Sequence, residues 1–78
     1  MLLSLQVRSV SKVLVDEAVE WVSFFMEDGQ VTIYEGHAPI IGQVLEGELR
    51  YKTEKDVRNL EISKGFAHVT NKKVIILV

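Results

Sequence analysis

The chain has 78 residues, which suffices for one small domain and leaves no room for two independent cores. Nine basic and eleven acidic residues give a net charge of −2, so the cationic excess typical of nucleic-acid binding is missing. The absence of cysteine excludes a disulfide scaffold, a thiolate zinc site and a cysteine nucleophile. Without such cross-links, a partner surface is one way for so small a domain to complete its burial.

The hydrophobic pattern predicts short strands along almost the whole chain. Apolar and polar residues alternate with a period of two, which is typical of strands with one buried face. Glycine, proline, asparagine and charged residues separate the runs, as expected of turns. In chain order, the predicted strands cover residues 3–8, 13–17, 19–25, 31–34, 40–45, 48–53, 59–63, 66–69 and 73–78.

The third predicted strand, residues 19–25, carries apolar side chains on both faces, so we expect a bulge there or a strand covered on both sides. Residues 12–22 are the one candidate for a helix, but their β-branched content argues against it. The pattern therefore predicts an all-β sandwich or barrel of about eight to ten short strands. Its apolar runs are too short or too interrupted for a signal peptide or a membrane span.

The chain is poor in groups that could form a catalytic, cofactor or metal site, and none is predicted. It has two histidines, no serine in a nucleophile-elbow pattern and no glycine-rich phosphate loop. Adjacent carboxylates such as Asp16-Glu17 point to opposite faces of a strand and favour solvated charges. In the turn containing His37, the favoured role of the ring is a bond to a nearby backbone carbonyl, and His68 is expected to be a surface residue.

Residues 28–39 (DGQVTIYEGHAP) resemble the central stretch of the epsilon subunit of F-type ATP synthases. That family carries a glycine turn, an apolar pair and then Gly-His-Ala-Pro. Residues 47–50 (GELR), 63–69 (SKGFAHV) and 71–77 (NKKVIIL) resemble later parts of the same family in the right order and spacing. The chain departs from the family at Phe25-Met26, where the family often has Pro-Gly, so the loop before Gly29 should differ.

The resemblance implies a flattened, mostly antiparallel β-sandwich comprising residues 1–78 as a single domain. The chain ends at Val78, where the helical hairpin of the family would begin, so no hairpin is expected and ATP should not bind. The implied role is that of a non-catalytic rotor subunit, with no cofactor or small-molecule substrate. It would link the gamma subunit to the membrane c ring and help couple ion translocation to ATP synthesis or hydrolysis.

The resemblance also implies two contact regions. The loop expected to face the c ring comprises Glu27, Asp28, Gly29 and Gln30. The positions expected to face gamma are Ser9, His37, Pro39 and Ile40. For Ile40 and Ile41, core packing of at least one is favoured. The implied location is peripheral, on the cytoplasmic face of the bacterial inner membrane and bound there only through the complex; the coupling ion is left open.

Two other functions are considered. The first is a standalone β-sandwich that binds a protein or a ligand through an aromatic patch of Trp21, Phe24, Phe25 and Tyr34. Packing of most of these side chains in the core is favoured, since a small interior must be filled. The second is an enzyme, which has the least support.

Overall fold

The computed structural model describes residues 2–78, which form nine strands and confirm the all-β prediction. The strands pair in one sheet that folds over on itself, and all pairs are antiparallel except β1 with β9. The strands are β1 (Leu3–Arg8), β2 (Val13–Val19), β3 (Trp21–Met26), β4 (Gly29–Tyr34), β5 (Ile40–Val44), β6 (Gly47–Lys52), β7 (Val57–Ile62), β8 (Gly65–Val69) and β9 (Lys73–Leu77).

The folded sheet has two layers, which we call the first and the second layer. The first has the strand order β2-β1-β9-β8-β5 and the second the order β4-β3-β6-β7. They are joined where Met26 of β3 pairs with Val44 of β5. Alternate side chains of both layers point inward and form one hydrophobic core, which includes the fully buried Leu5, Phe24 and Ile33. Burial of each such side chain contributes about 1.5–3 kcal/mol to folding.

The change of face near Val19 has a different cause from the expected bulge. Val19 ends β2, and β3 begins at Trp21, so the chain leaves one strand and enters another at Glu20. Val19 and Val22 are both fully buried because each layer contributes its own inward-facing series. The prediction of a single strand over residues 19–25 is therefore wrong. The β1–β2 pairing does have a register irregularity, but it lies between Val7 and Arg8 of β1.

The Phe25-Met26 pair extends β3 instead of forming a loop. Met26 pairs with Gly29, so Glu27 and Asp28 are the two residues between the paired ends of β3 and β4. Gly29 has a φ of 126°, a region that favours glycine, which confirms the Asp-Gly turn predicted from the sequence. Met26 packs against the core, whereas Phe25 points outward.

One polar cluster ties the two layers together at the side away from the β3–β5 junction. Glu17 of β2 accepts a hydrogen bond from the Tyr51 hydroxyl at 3.2 Å. The same carboxylate forms an ion pair with Arg58 of β7 at 3.1 Å. Beside it, the backbone N–H of Glu20 donates to the carbonyl of Lys52 at 2.7 Å. These contacts hold the edge strand β2 against β6 and β7.

Three of the four residues of the predicted aromatic patch point outward from the second layer. Phe24 is fully buried, but Trp21 is only half-buried, and Phe25 and Tyr34 are exposed. The prediction that most of the four aromatic side chains lie in the core is therefore wrong. Trp21 and Tyr34 lie opposite each other on β3 and β4, on the face that turns away from the core.

The Glu17–Tyr51–Arg58 cluster predicts a loss of stability in alkaline solution. Burial, with a contribution from the Glu17 charge, raises the pKa of Tyr51 above its ordinary value of 10.0, although Arg58 opposes this. The stabilisation linked to the neutral phenol is therefore complete below pH 10 and is lost as pH rises through the raised native pKa. In urea unfolding between pH 9 and 11.5, the free energy of unfolding of Tyr51→Phe should fall less steeply with pH than that of the wild type.

The same substitution should cost about 1 kcal/mol at pH 7, because Glu17 loses a hydrogen-bond donor. Tyr34→Phe is the matched control, since Tyr34 is exposed on the outer side of the second layer and makes no contact with the Glu17–Tyr51–Arg58 cluster, so this variant should keep the wild-type pH profile. Equal alkaline profiles for wild type and Tyr51→Phe would contradict the assignment.

The two isoleucines at the start of β5 should differ in their contribution to stability. Ile40 packs against the core, whereas Ile41 is 75% exposed. Ile40→Ala should lower the free energy of unfolding by about 2 kcal/mol through lost packing. Ile41→Ala should change it by less than about 0.5 kcal/mol. Urea denaturation of both variants measures the difference, and a reversed order would refute the orientation of β5.

Candidate functional site

The outer side of the first layer carries a cluster of exposed apolar side chains. Ile41 of β5, His68 of β8 and Ile75 of β9 lie in one row across three paired strands. Phe66 and Leu77 form the next row. Ile41, Phe66 and Leu77 are 75%, 56% and 54% exposed, and a shallow groove of about 340 Å³ lies among these side chains. We call these five residues the apolar face.

The apolar face exists because neighbouring strands carry apolar residues at outward as well as inward positions. In β9, Val74 and Ile76 are fully buried, while Ile75 and Leu77 point away from the core. The uninterrupted apolar run of this strand was visible in the sequence, and such runs are typical of strands covered on both faces. Clustered exposed apolar side chains of this kind mark interaction surfaces in soluble proteins.

The charged residues within the strands of the apolar face and on the adjacent β1 are cationic or titratable as histidine. The strands that form it and its nearest neighbour, β5, β8, β9 and β1, contain no aspartate or glutamate. Lys73 at one end of β9 and Arg8 at the end of β1 lie at outward positions of the same layer. The face therefore has an apolar centre, cationic residues on β9 and β1, and the carboxylates of Glu27 and Asp28 beyond one end of β5.

The four positions expected to face gamma are not close together. Ser9 follows the end of β1 beside Leu77, and its hydroxyl accepts from the Lys12 backbone N–H at 3.2 Å. His37 lies at the opposite end of the layer, because the adjacent Gly36 N–H bonds the Asn71 carbonyl in the β8–β9 turn. Its ring Nδ1 lies 2.6 Å from the Ala38 carbonyl, as expected for a turn histidine.

The other two positions bracket the start of β5. Pro39 is exposed just before the strand, and Ile40 points inward against the core. The next residue, Ile41, is the one that β5 presents outward, as expected from the alternation of a strand. The sequence pattern singled out Ile40 but not the exposed cluster of Ile41, Phe66, Ile75 and Leu77, because the outward direction depends on a register that only the folded sheet defines.

The β3–β4 turn forms a separate feature at one end of the molecule. Glu27 and Asp28 are exposed at its tip and place two adjacent carboxylates there. The turn lies at the same end of the sandwich as Ser9. Met26, just before the turn, pairs with Val44 of β5, and the strand pairing at that end continues across β8 and β9 to Arg8, which precedes Ser9. We call Glu27 and Asp28 the acidic turn.

Gln30, the fourth residue of the expected c-ring loop, is directed elsewhere. Its side-chain amide donates to the buried Ser23 hydroxyl at 2.7 Å on the outer side of the second layer. Together with Trp21, Thr32, Tyr34 and Arg50, these residues line an open depression of about 250 Å³. The structure thus separates Gln30 from the acidic tip that precedes it in the sequence.

Two further features are absent from the described residues. Within residues 2–78, no group of three or more histidine, aspartate and glutamate side chains is arranged to hold a metal ion. The same residues contain no helix long and apolar enough to cross a membrane.

Comparison with known proteins agrees with this geometry. The family model for the ATP synthase delta/epsilon chain β-sandwich domain matches residues 2–78. The ATP synthase epsilon chain of Prochloron didemni is 35% identical over 78 residues, which is all of this chain and 57% of that protein. The chloroplastic epsilon chain of Adiantum capillus-veneris is 31% identical over the same span, or 59% of its length. The chain therefore spans little more than half the length of these curated relatives.

Solved structures share the fold. A chain of the Euglena gracilis mitochondrial ATP synthase, in a structure of OSCP, F1 and the c-ring, superimposes with a TM-score of 0.91 at 24% identity. This match covers 99% of the present chain and 50% of that chain. A chain of the Tetrahymena thermophila central stalk and c-ring gives a TM-score of 0.82 at 12% identity, covering 97% and 62%. From the family match and the curated relatives, the chain belongs to the ATP synthase delta/epsilon family and represents its β-sandwich domain.

Proposed function

We propose that the chain is a non-catalytic rotor component of an F-type ATP synthase that links the gamma subunit to the c ring. The observation that carries this proposal is the apolar face, which leaves three large side chains more than half exposed on one side of the fold. The curated relatives are epsilon chains, and one structural neighbour belongs to a central stalk and c-ring assembly. A stalk subunit is the partner that fits a flat, apolar docking surface within such an assembly.

The contrast between the two outer sides of the sandwich supports the choice of surface. The first layer presents Ile41, Phe66 and Leu77 together, whereas the outer side of the second layer has Trp21 and Tyr34 set among polar groups such as Thr32 and Arg50. A partner that covers the outer side of the first layer removes apolar surface from water, which favours association by about 25 cal/mol per Å² of apolar surface buried. We therefore assign the gamma contact to the apolar face, with Ser9, His37 and Pro39 at or beyond its ends.

The acidic turn is our proposed contact with the c ring. Glu27 and Asp28 are exposed at one end of the sandwich, whereas the apolar face covers one of its sides. A subunit that binds a stalk by its side and a ring by its end needs two such separate surfaces. Exposed carboxylates suit a polar, salt-sensitive contact that favours rapid association. In this role the chain lies at the cytoplasmic face of the bacterial inner membrane, and ATP chemistry takes place on other subunits.

A charge placed in the apolar face should weaken gamma binding. Phe66→Asp would require burial of a carboxylate without a partner, so the affinity for purified gamma should fall at least tenfold. Thr32→Asp is the matched control, because it adds the same charge to the exposed outer side of the second layer. Biolayer interferometry with immobilised gamma measures both. Wild-type affinity in Phe66→Asp, with the fold intact by circular dichroism, would refute the proposed surface.

Charge reversal in the acidic turn should weaken docking to the c ring and leave gamma binding intact. Asp28→Lys is expected to slow association with detergent-solubilised c ring carrying gamma, most strongly at low ionic strength. Glu54→Lys makes the same charge change in the β6–β7 turn, at the other end of the sandwich, and serves as control. If reversal of both Glu27 and Asp28 leaves assembly unchanged, the turn is not the c-ring contact.

A further inference from the structure

The apolar face contains one titratable side chain, and that side chain lies at its centre. His68 of β8 pairs with Ile41 on one side and with Ile75 on the other. Phe66 precedes it on the same outward side of β8, and the groove of the apolar face includes the histidine in its lining. A partner that covers the two isoleucines must therefore cover the imidazole between them.

No acidic group of the surrounding strands is available to stabilise a charged imidazole. On β5 the outward neighbours are Ile41 and Gln43, and on β9 they are Ile75 and the cationic Lys73. On β1, beyond β9, the outward positions near this row are Gln6 and the cationic Arg8. The first carboxylate across the layer is Asp16 of β2, opposite Gln6. Beyond Gln43 lie Glu27 and Asp28 of the acidic turn. Protonation of His68 would thus place a positive charge between two isoleucines, with Lys73 as the nearest charged residue on the adjacent strands and no carboxylate paired with the imidazole.

We propose that the apolar face docks only with His68 neutral, so that acidification releases the chain from its stalk partner. The proposal rests on the proposed function, because it takes the apolar face to be the surface that gamma covers. Burying a charged imidazole between apolar groups is costly when no counter-charge accompanies it. Histidine side chains change charge between about pH 5 and 8, so the effect falls in a range that cells reach. The partner surface that fits the apolar face carries apolar groups at the position opposite His68.

The sign of the effect follows from proton linkage. If docking requires the neutral imidazole, the free chain binds one more proton than the complex at low pH, and the affinity falls as pH falls. The dissociation constant should therefore be about tenfold larger at pH 5.5 than at pH 8. A partner carboxylate placed against His68 would reverse this sign.

The test is the dissociation constant for purified gamma, measured at pH 8 and pH 5.5 with the wild-type chain and two variants. The affinity of the wild-type chain for gamma should fall about tenfold between pH 8 and pH 5.5. His68→Gln should bring the ratio between the two pH values close to one, because glutamine does not titrate. Thr32→Gln should retain the wild-type ratio, since Thr32 lies on the outer side of the second layer, away from the apolar face. Circular dichroism at both pH values confirms that all three proteins remain folded.

The outcomes distinguish this inference from the proposed function. Binding at pH 8 that is unchanged or stronger at pH 5.5 overturns the inference and leaves the docking surface standing. If His68→Gln still loses affinity tenfold on acidification, another group is responsible for the pH dependence, and the inference is also overturned. Absence of binding at pH 8 contradicts the proposed function itself, and the inference fails with it.

Discussion

The folding of one sheet over on itself is the constraint on which the rest of this structure depends. With 78 residues and no cysteine, the chain can bury a sufficient core only by bringing two layers of the same sheet face to face. The layers join at Met26 and Val44 on one side, and the Glu17–Tyr51–Arg58 cluster closes the other. Each layer then has one outer side, and the apolar residues that remain there are available for a partner.

The strands and their order along the chain could be predicted, because alternation and turn residues act over short distances. The Asp-Gly turn is a clear case: Gly29 has the positive φ that this turn favours. The boundary at Glu20 could not be predicted in the same way. Val19 and Trp21 are two residues apart and would share a face in a continuous strand, and only the pairing with different neighbours separates them into two strands.

The positions of the two surfaces that we propose as contacts could be predicted only in part, for a related reason. The acidic turn at Glu27 and Asp28 follows from local sequence, but the direction of Gln30 depends on a hydrogen bond to Ser23 seven residues earlier. The apolar face joins residues from β5, β8 and β9, which are distant in sequence. A row such as Ile41–His68–Ile75 requires the strand register, which hydrophobic periodicity alone does not define.

The parallel pairing of β1 with β9 places the first and last strands side by side, with Leu5 opposite Val74. During synthesis, β1 can form a hairpin with β2 at once, but its other edge has no partner until residues 73–77 have been made. Such long-range pairing slows folding and leaves an apolar strand edge open to aggregation in the meantime. The same strand supplies Ile75 and Leu77 to the apolar face, so the proposed docking surface is complete only once this long-range pairing has formed.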